Sequence, residues 1–227
     1  FASNNAYLQA RTRQFYARRF AMAYPNEELP AGRPLKMTPC YDALAAAGAH
    51  FGATWGMETP LFFAPDQPDF EERPSLRRSN AHDIVGAEVQ ATRTAAGLFE
   101  TAVYARYEVT GPGAERWLDG LLASKIPAVG RMRLAPMLND AGRLMGDLTV
   151  ARLAPDRFWL VGSYALQEWH LRWFRAHLPP EGVEIRNLSE EWLGFSLSGP
   201  RAREILARLT PGDVYDAGLP FLGCREL

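Results

Sequence analysis

Asp147 is the residue best suited to chemistry: one carboxylate inside an otherwise apolar run, Leu144-Met145-Gly146-Asp147-Leu148-Thr149-Val150. A carboxylate held by a strand can orient an amine or carry a proton to and from it, which is general acid–base work. The plainer reading of the pattern is a solvated acid on the open face of a sheet. Other chemistries find less support. Cys40 and Cys224 stand alone, in no CxxC or Cys/His pattern, so neither a disulfide framework nor a zinc site is indicated and both read as inert thiols. His50, His82, His170 and His177 show no ligand spacing beyond the i, i+7 relation of the last two, which reads as a pair of partly buried helix histidines. Gly162-Ser163 and Ser198-Gly199 lack the nucleophile-elbow pattern. No G-x-G-x-x-G follows a strand, so the fingerprint that would hold a dinucleotide is not in this sequence.

Turn residues define the element that must hold Asp147. Asn139-Asp140-Ala141-Gly142 and Ala154-Pro155-Asp156-Arg157 separate apolar runs, so residues 134–163 read as three antiparallel strands. Alternation puts Arg143, Met145, Asp147 and Thr149 on one face and Leu144, Gly146, Leu148 and Val150 on the other. A helix from Tyr164 to about His177, with Leu166, Trp169, Leu171, Trp173 and Phe174, is expected to pack on these strands, giving an α+β class. Upstream, residues 5–23 read as an amphipathic helix with a basic face. Thr38-Pro39 caps a short helix ended by Gly48, and residues 49–63 form a Gly-broken pair of strands. Asn80 caps a helix running to about Ala95.

Two further patterns bear on organisation. Val109-Thr110-Gly111-Pro112 and Leu197-Ser198-Gly199-Pro200 echo one another as strand-to-helix junctions, with Thr110 or Ser198 as cap and Pro in the first turn. A repeated βα unit and two copies of a common capping solution explain the echo equally. Residues 64–78 carry three prolines and seven charged residues and can bury little, which divides the chain into residues 1–64, a linker over 65–80, and residues 81–227.

The 227 residues are 47% hydrophobic and 22% charged, with a net charge of −1, an ordinary globular composition. That charge gives no pull toward nucleic acid or anionic lipid, and no apolar run reaches the roughly 20 residues of a membrane span. A cytoplasmic location is expected, which the resemblance given below makes a bacterial one, and neither nucleic acid nor a membrane is expected as a partner.

The motifs carry a resemblance. P-M-L-N-D-A-G-R-L-M-G-D-L-T-V, residues 136–150, resembles the M-L-N-x-x-G-G-I-x-x-D-L-x-V segment of the glycine cleavage T proteins, which are aminomethyltransferases. The T-G-P and S-G-P-R-A-R units resemble that family's V-x-G-x-x-A and G-P-x-A-R elements. Arg33-Pro34-Leu35-Lys36, Tyr41-Asp42-Ala43-Leu44 and the stretch from Gly48 to Ala64 resemble the end of the flavin half of dimethylglycine and sarcosine dehydrogenases, where a T-protein-like half follows.

The resemblance implies a T-protein-like fold, incomplete at the C-terminus and preceded by a small α/β segment from an oxidoreductase half. It implies a fragment, inactive alone, of an enzyme that oxidatively demethylates an N-methyl amine and transfers the carbon to tetrahydrofolate. Asp147 would be the catalytic acid; Leu134, Met137, Asn139, Ser163 and Tyr164 would bind the folate. FAD would belong only to the missing flavin half, and the chain would pack against that half and against a missing C-terminal part. Departures stand at Gly146, where the family has a second carboxylate, at Leu134 in place of an aromatic, at Ser163 in place of Asn, and at Glu100 in R-T-A-A-G-L-F-E in place of Asp. Arg93 and Glu100 are expected to serve a structural ion pair. The alternatives are a catalytically silent folate-like binding or scaffolding domain, and a T-protein-fold demethylase acting on another methyl donor.

Overall fold

The computed structural model describes residues 3–226. In chain order its elements are α1 (Asn5–Ala17), α2 (Tyr41–Ala46), β1 (Ala49–Thr54), β2 (Met57–Phe63), α3 (His82–Thr94), β3 (Gly97–Glu100), β4 (Tyr104–Thr110), α4 (Ala114–Leu121), β5 (Arg131–Leu138), β6 (Leu144–Ala154), β7 (Arg157–Ser163), a 3₁₀ turn (Tyr164–Leu166), α5 (Gln167–Ala176), β8 (Glu184–Asn187), β9 (Phe195–Ser198) and α6 (Ala202–Leu206). They form two compact units, one running to Glu100 with Ser196–Pro200 added, the other comprising Thr101–Phe195 and the chain from Arg201 on.

The second unit is a helix-on-sheet layer. Its five strands run antiparallel in the order β5-β6-β7-β4-β8. One face of the sheet is apolar at every second residue: Tyr107 and Val109 of β4, Met137 of β5, Leu148 and Val150 of β6, Phe158 and Leu160 of β7. Leu118 of α4 and Leu171 and Phe174 of α5 close over it, with Phe174 edge-on to Tyr107 at 5.2 Å. Each such burial contributes about 1.5–3 kcal/mol. The α+β expectation holds, and the alternation expected for β6 is observed from Gly146 to Val150; Leu144, at the hairpin end, is exposed. Pro136 is tolerated because β5 is an edge strand whose Pro136 carbonyl accepts from the Ala123 N–H, away from β6.

The first unit is smaller. β1 and β2 pair as an antiparallel hairpin, and β3 pairs with β9. Phe62, Ala64 and Ala81 form a core with Phe70 and Ile84 packed against it, and the His50 ring stacks on Phe62 at 4.8 Å. The Pro-rich segment is therefore partly anchored: Phe70 lies edge-on to Phe62, and the Asn80 side chain accepts from the Arg73 N–H and donates to the Glu71 carbonyl. The division between units falls after Glu100 instead of across 65–80 because α3 is tied to β2, the Glu88 carboxylate accepting from the Phe63 N–H at 2.8 Å.

Several capping expectations are corrected. Asn80, occupied with Arg73 and Glu71, does not cap α3, whose N-cap is Ala81. Thr110 and Ser198 cap nothing; the N-caps are Gly113 and Arg201. Gly111 and Gly199 both take positive φ, 116° and 109°, so each chain turns sharply and the helix begins only beyond the proline. α1 stops at Ala17, short of Phe20 and Met22, and buries no residue. Arg93 and Glu100 form no ion pair: Arg93 is exposed, and both Glu100 carboxylate oxygens are buried without a hydrogen-bond partner. Among the described residues no helix is long and apolar enough to cross a membrane.

Candidate functional site

The face of the sheet opposite the apolar layer carries the candidate site. Leu134 pairs with Thr149 and Pro136 with Asp147, while Thr149 also pairs with Val161 on the other side. Cross-strand partners share a face, so Leu134, Asp147, Thr149 and Val161 look the same way. Ser163 lies two residues along from Val161, as Asp147 does from Thr149, and the two come onto neighbouring strands of this face. Asp147 is exposed and makes no hydrogen bond or ion pair among the described residues. Leu134 is 63% exposed beside it. An unspent carboxylate flanked by bare apolar surface can accept from a ligand's N–H and hold its proton.

The remaining expected folate contacts lie elsewhere. Met137 is fully buried on the opposite face, because it is an odd step from Leu134 in the same strand. Asn139 builds the β5–β6 turn: its side-chain oxygen accepts from Ala141 N–H at 3.0 Å and Arg143 N–H at 2.9 Å. Tyr164 is buried, and its hydroxyl donates to the Glu190 carboxylate at 3.0 Å. Leu134, Asp147 and Ser163 thus share one face, and Met137, Asn139 and Tyr164 do not.

Further along that face is a groove of about 330 Å³ lined by Met132, Thr149, Ala151, Trp159, Val161 and Trp192. Trp159 and Trp192 meet edge-on at 5.1 Å. Arg106 stands at its edge with its guanidinium bonded to the Thr101 and Tyr104 carbonyls. Sequence reading missed this groove; the signal was Trp159 and Val161, alternating with the core residues Phe158 and Leu160.

Beneath Asp147, on the apolar side, lies His170. It is fully buried, more deeply than the partial burial expected. Burial pushes its imidazole below the ordinary 6.5, with the Asp147 charge acting the other way. Burial likewise pushes the Tyr107 phenol up, helped by Glu168. The Cys224 thiol is raised by burial against the weaker effects of the Arg152 carbonyl and the Arg131 charge, which suits an unreactive thiol. No group of His, Cys, Asp and Glu among the described residues could hold a metal ion.

Residues 40–227 match the family described as the GCVT N-terminal domain, and residues 1–38 match the FAD dependent oxidoreductase central domain. The chain is 31% identical to the mitochondrial dimethylglycine dehydrogenase of Rattus norvegicus over 97% of its own length and 26% of that protein's. The Homo sapiens protein of the same name matches at the same identity and coverage. The chain therefore spans about a quarter of the length of these curated relatives. Among solved structures, the glycine cleavage system aminomethyltransferase T from Bartonella henselae superposes with a TM-score of 0.69 at 27% identity, over 85% of this chain and 47% of that one. The expectation of a bacterial cytoplasmic location is overturned by these relatives, which are named as mitochondrial. An address is read from a targeting segment, and the composition of a folded domain does not carry it. With a matching fold and a family match over most of its length, this chain belongs to the family of the GCVT N-terminal domain, preceded by residues that match the FAD dependent oxidoreductase central domain.

Proposed function

We propose that this chain supplies the folate-facing part of an enzyme that oxidatively demethylates an N-methyl amine and passes the one-carbon unit to tetrahydrofolate. The observation that carries the reading is the exposed, unpartnered Asp147 carboxylate on the open sheet face, in a chain of the GCVT N-terminal domain family. Tetrahydrofolate, when bound, supplies the nitrogens that take up the carbon. The residues present fit such a ligand: Leu134 gives exposed apolar surface beside an acceptor, Thr149 pairs with it across the strands, and Thr149 also lines the groove of Trp159 and Trp192. Asp147 would hold a ligand N–H in place and take or return its proton, with Ser163 beside it as a second hydrogen-bonding group.

In the full-length protein, Asp147→Asn is expected to leave amine-dependent dye reduction unchanged while cutting methylenetetrahydrofolate formation by ~10²–10⁴. Glu115→Gln, which only removes the exposed ion pair with Arg152, serves as the control. Folate product at the wild-type rate in Asp147→Asn would refute the assignment. A second reading, folate binding without transfer, draws on Gly146, which offers no side chain where a second carboxylate would stand. It is distinguished by equilibrium dialysis: tetrahydrofolate binds, yet wild type and Asp147→Asn form no product alike.

A further inference from the structure

We infer that His170 is a positioning residue for Asp147, acting through the β6 backbone; this rests on the role assigned to Asp147 above. His170 is 0% exposed, yet its Nε2 has no hydrogen-bond partner. Its Nδ1 lies 3.3 Å from the Tyr107 hydroxyl, which also donates to the Gln167 carbonyl at 3.3 Å. A phenol has one proton to give. Spent on Gln167, it leaves the hydroxyl oxygen to accept from Nδ1–H and leaves Nε2 a bare lone pair.

That nitrogen presses on the strands. A Cβ at Gly146 would overlap it, and a Cβ at Gly162 would meet Leu148 Cδ2 first, at 2.7 Å, and then the ring, 3.1 Å from its Cε1 and 3.3 Å from Nδ1. Two neighbouring strands thus carry glycine where the imidazole meets them. The next residue on each strand, Asp147 or Ser163, belongs to the opposite face. An aliphatic side chain would fill the space without orphaning a buried nitrogen, and such exceptions to polar satisfaction call for a reason. The reason offered here is height: the ring sets how far the 146–147 and 162–163 backbone stands above the core, and so where the carboxylate meets a ligand. The titratable groups acting on the ring are Tyr107 of β4, which meets Nδ1, and Asp147, whose charge acts from the opposite face of β6, with Glu168 of α5 acting on Tyr107. Burial keeps the imidazole neutral, so it shapes the strand without cancelling the Asp147 charge.

The test uses the full-length protein with His170→Leu and Gly146→Ala. A displacement near 1 Å costs about 10²-fold in a positioned reaction. Both variants are expected to lose folate product on that scale, in kcat, with amine-dependent dye reduction and its KM unchanged and the thermal midpoint of His170→Leu at or above wild type. If His170→Leu does not fold, His170→Gln, which keeps a partner for Tyr107 but loses the ring, is measured in its place with the same outcomes. Independently of turnover, the His170 imidazole is titrated by NMR in the wild type and in Asp147→Asn, where removing the charge across the strand should lower its pKa further. A folded His170 variant with wild-type product overturns the proposal while Asp147→Asn remains impaired; an unmoved His170 titration also overturns it. Wild-type product in Asp147→Asn itself refutes the functional reading instead.

Discussion

At Glu58 a charge is only 2% exposed, and Arg33 meets it with two bonds, Nε to Oε1 at 2.9 Å and Nη2 to Oε2 at 2.5 Å. Removing one partner leaves the other charge buried and alone, which costs about 3–5 kcal/mol, whereas replacing both with apolar groups is often neutral. Arg33→Met should therefore lower unfolding stability in urea by that amount, and Arg33→Met with Glu58→Leu should recover most of it; equal losses in both would show that the unpaired Glu58 charge is not the source of the loss. His170 makes a different contribution. Its folded pKa lies below 6.5, so the unfolded chain takes up the proton first, and stability is lost as pH falls from above 6.5 toward the folded value. His170→Leu should flatten that part of the stability–pH curve, and an unchanged curve would place the acid sensitivity elsewhere. Asp147 was legible in the sequence because a lone acid in an apolar strand stands out. His170 was not, since nothing local distinguishes a helix histidine under a glycine pair from any other.

The elements divide by what signals them. Strands β5 to β7 and their turns follow from period-two alternation and turn-forming residues, both local properties. Caps were misread because Asn80, Thr110 and Ser198 each have the right chemistry and the wrong backbone: positive-φ glycines delay two helices, and Asn80 is engaged by residues earlier in the chain. Asn139 shows the same competition between readings. The family resemblance assigns it to the ligand, while its side chain is spent on two N–H groups of its own turn. Asn139→Ala should cost about 1–2 kcal/mol in stability, the scale of two modest hydrogen bonds, and leave tetrahydrofolate affinity by equilibrium dialysis unchanged. A weakened affinity with unchanged stability would restore the ligand role.

Over the whole molecule, the composition of residues 64–78 suggested a linker because it counts prolines and charges and gives no weight to one phenylalanine. Phe70 reverses that reading at a single point. Its ring lies edge-on to both Phe62 and His50, at 5.6 Å and 5.2 Å, and the Asn80 side chain ties the far end of the segment to Glu71 and Arg73. The segment therefore belongs to the small core of the first unit, while the second unit has its own core around Tyr107, Phe158 and Phe174. Separate cores respond separately. Phe70→Ala removes an aromatic anchor, for which the cost of a large-to-small change runs to about 3–5 kcal/mol when burial is complete and less here, where Phe70 is only partly buried. Trypsin should then cut at Arg77 or Arg78 faster than in the wild type, while amide exchange in β6 and β7 stays as slow as before. Equal cleavage rates in wild type and Phe70→Ala would mean that the segment is not held by its aromatic contact, and faster exchange in β6 would mean that the two cores are not independent.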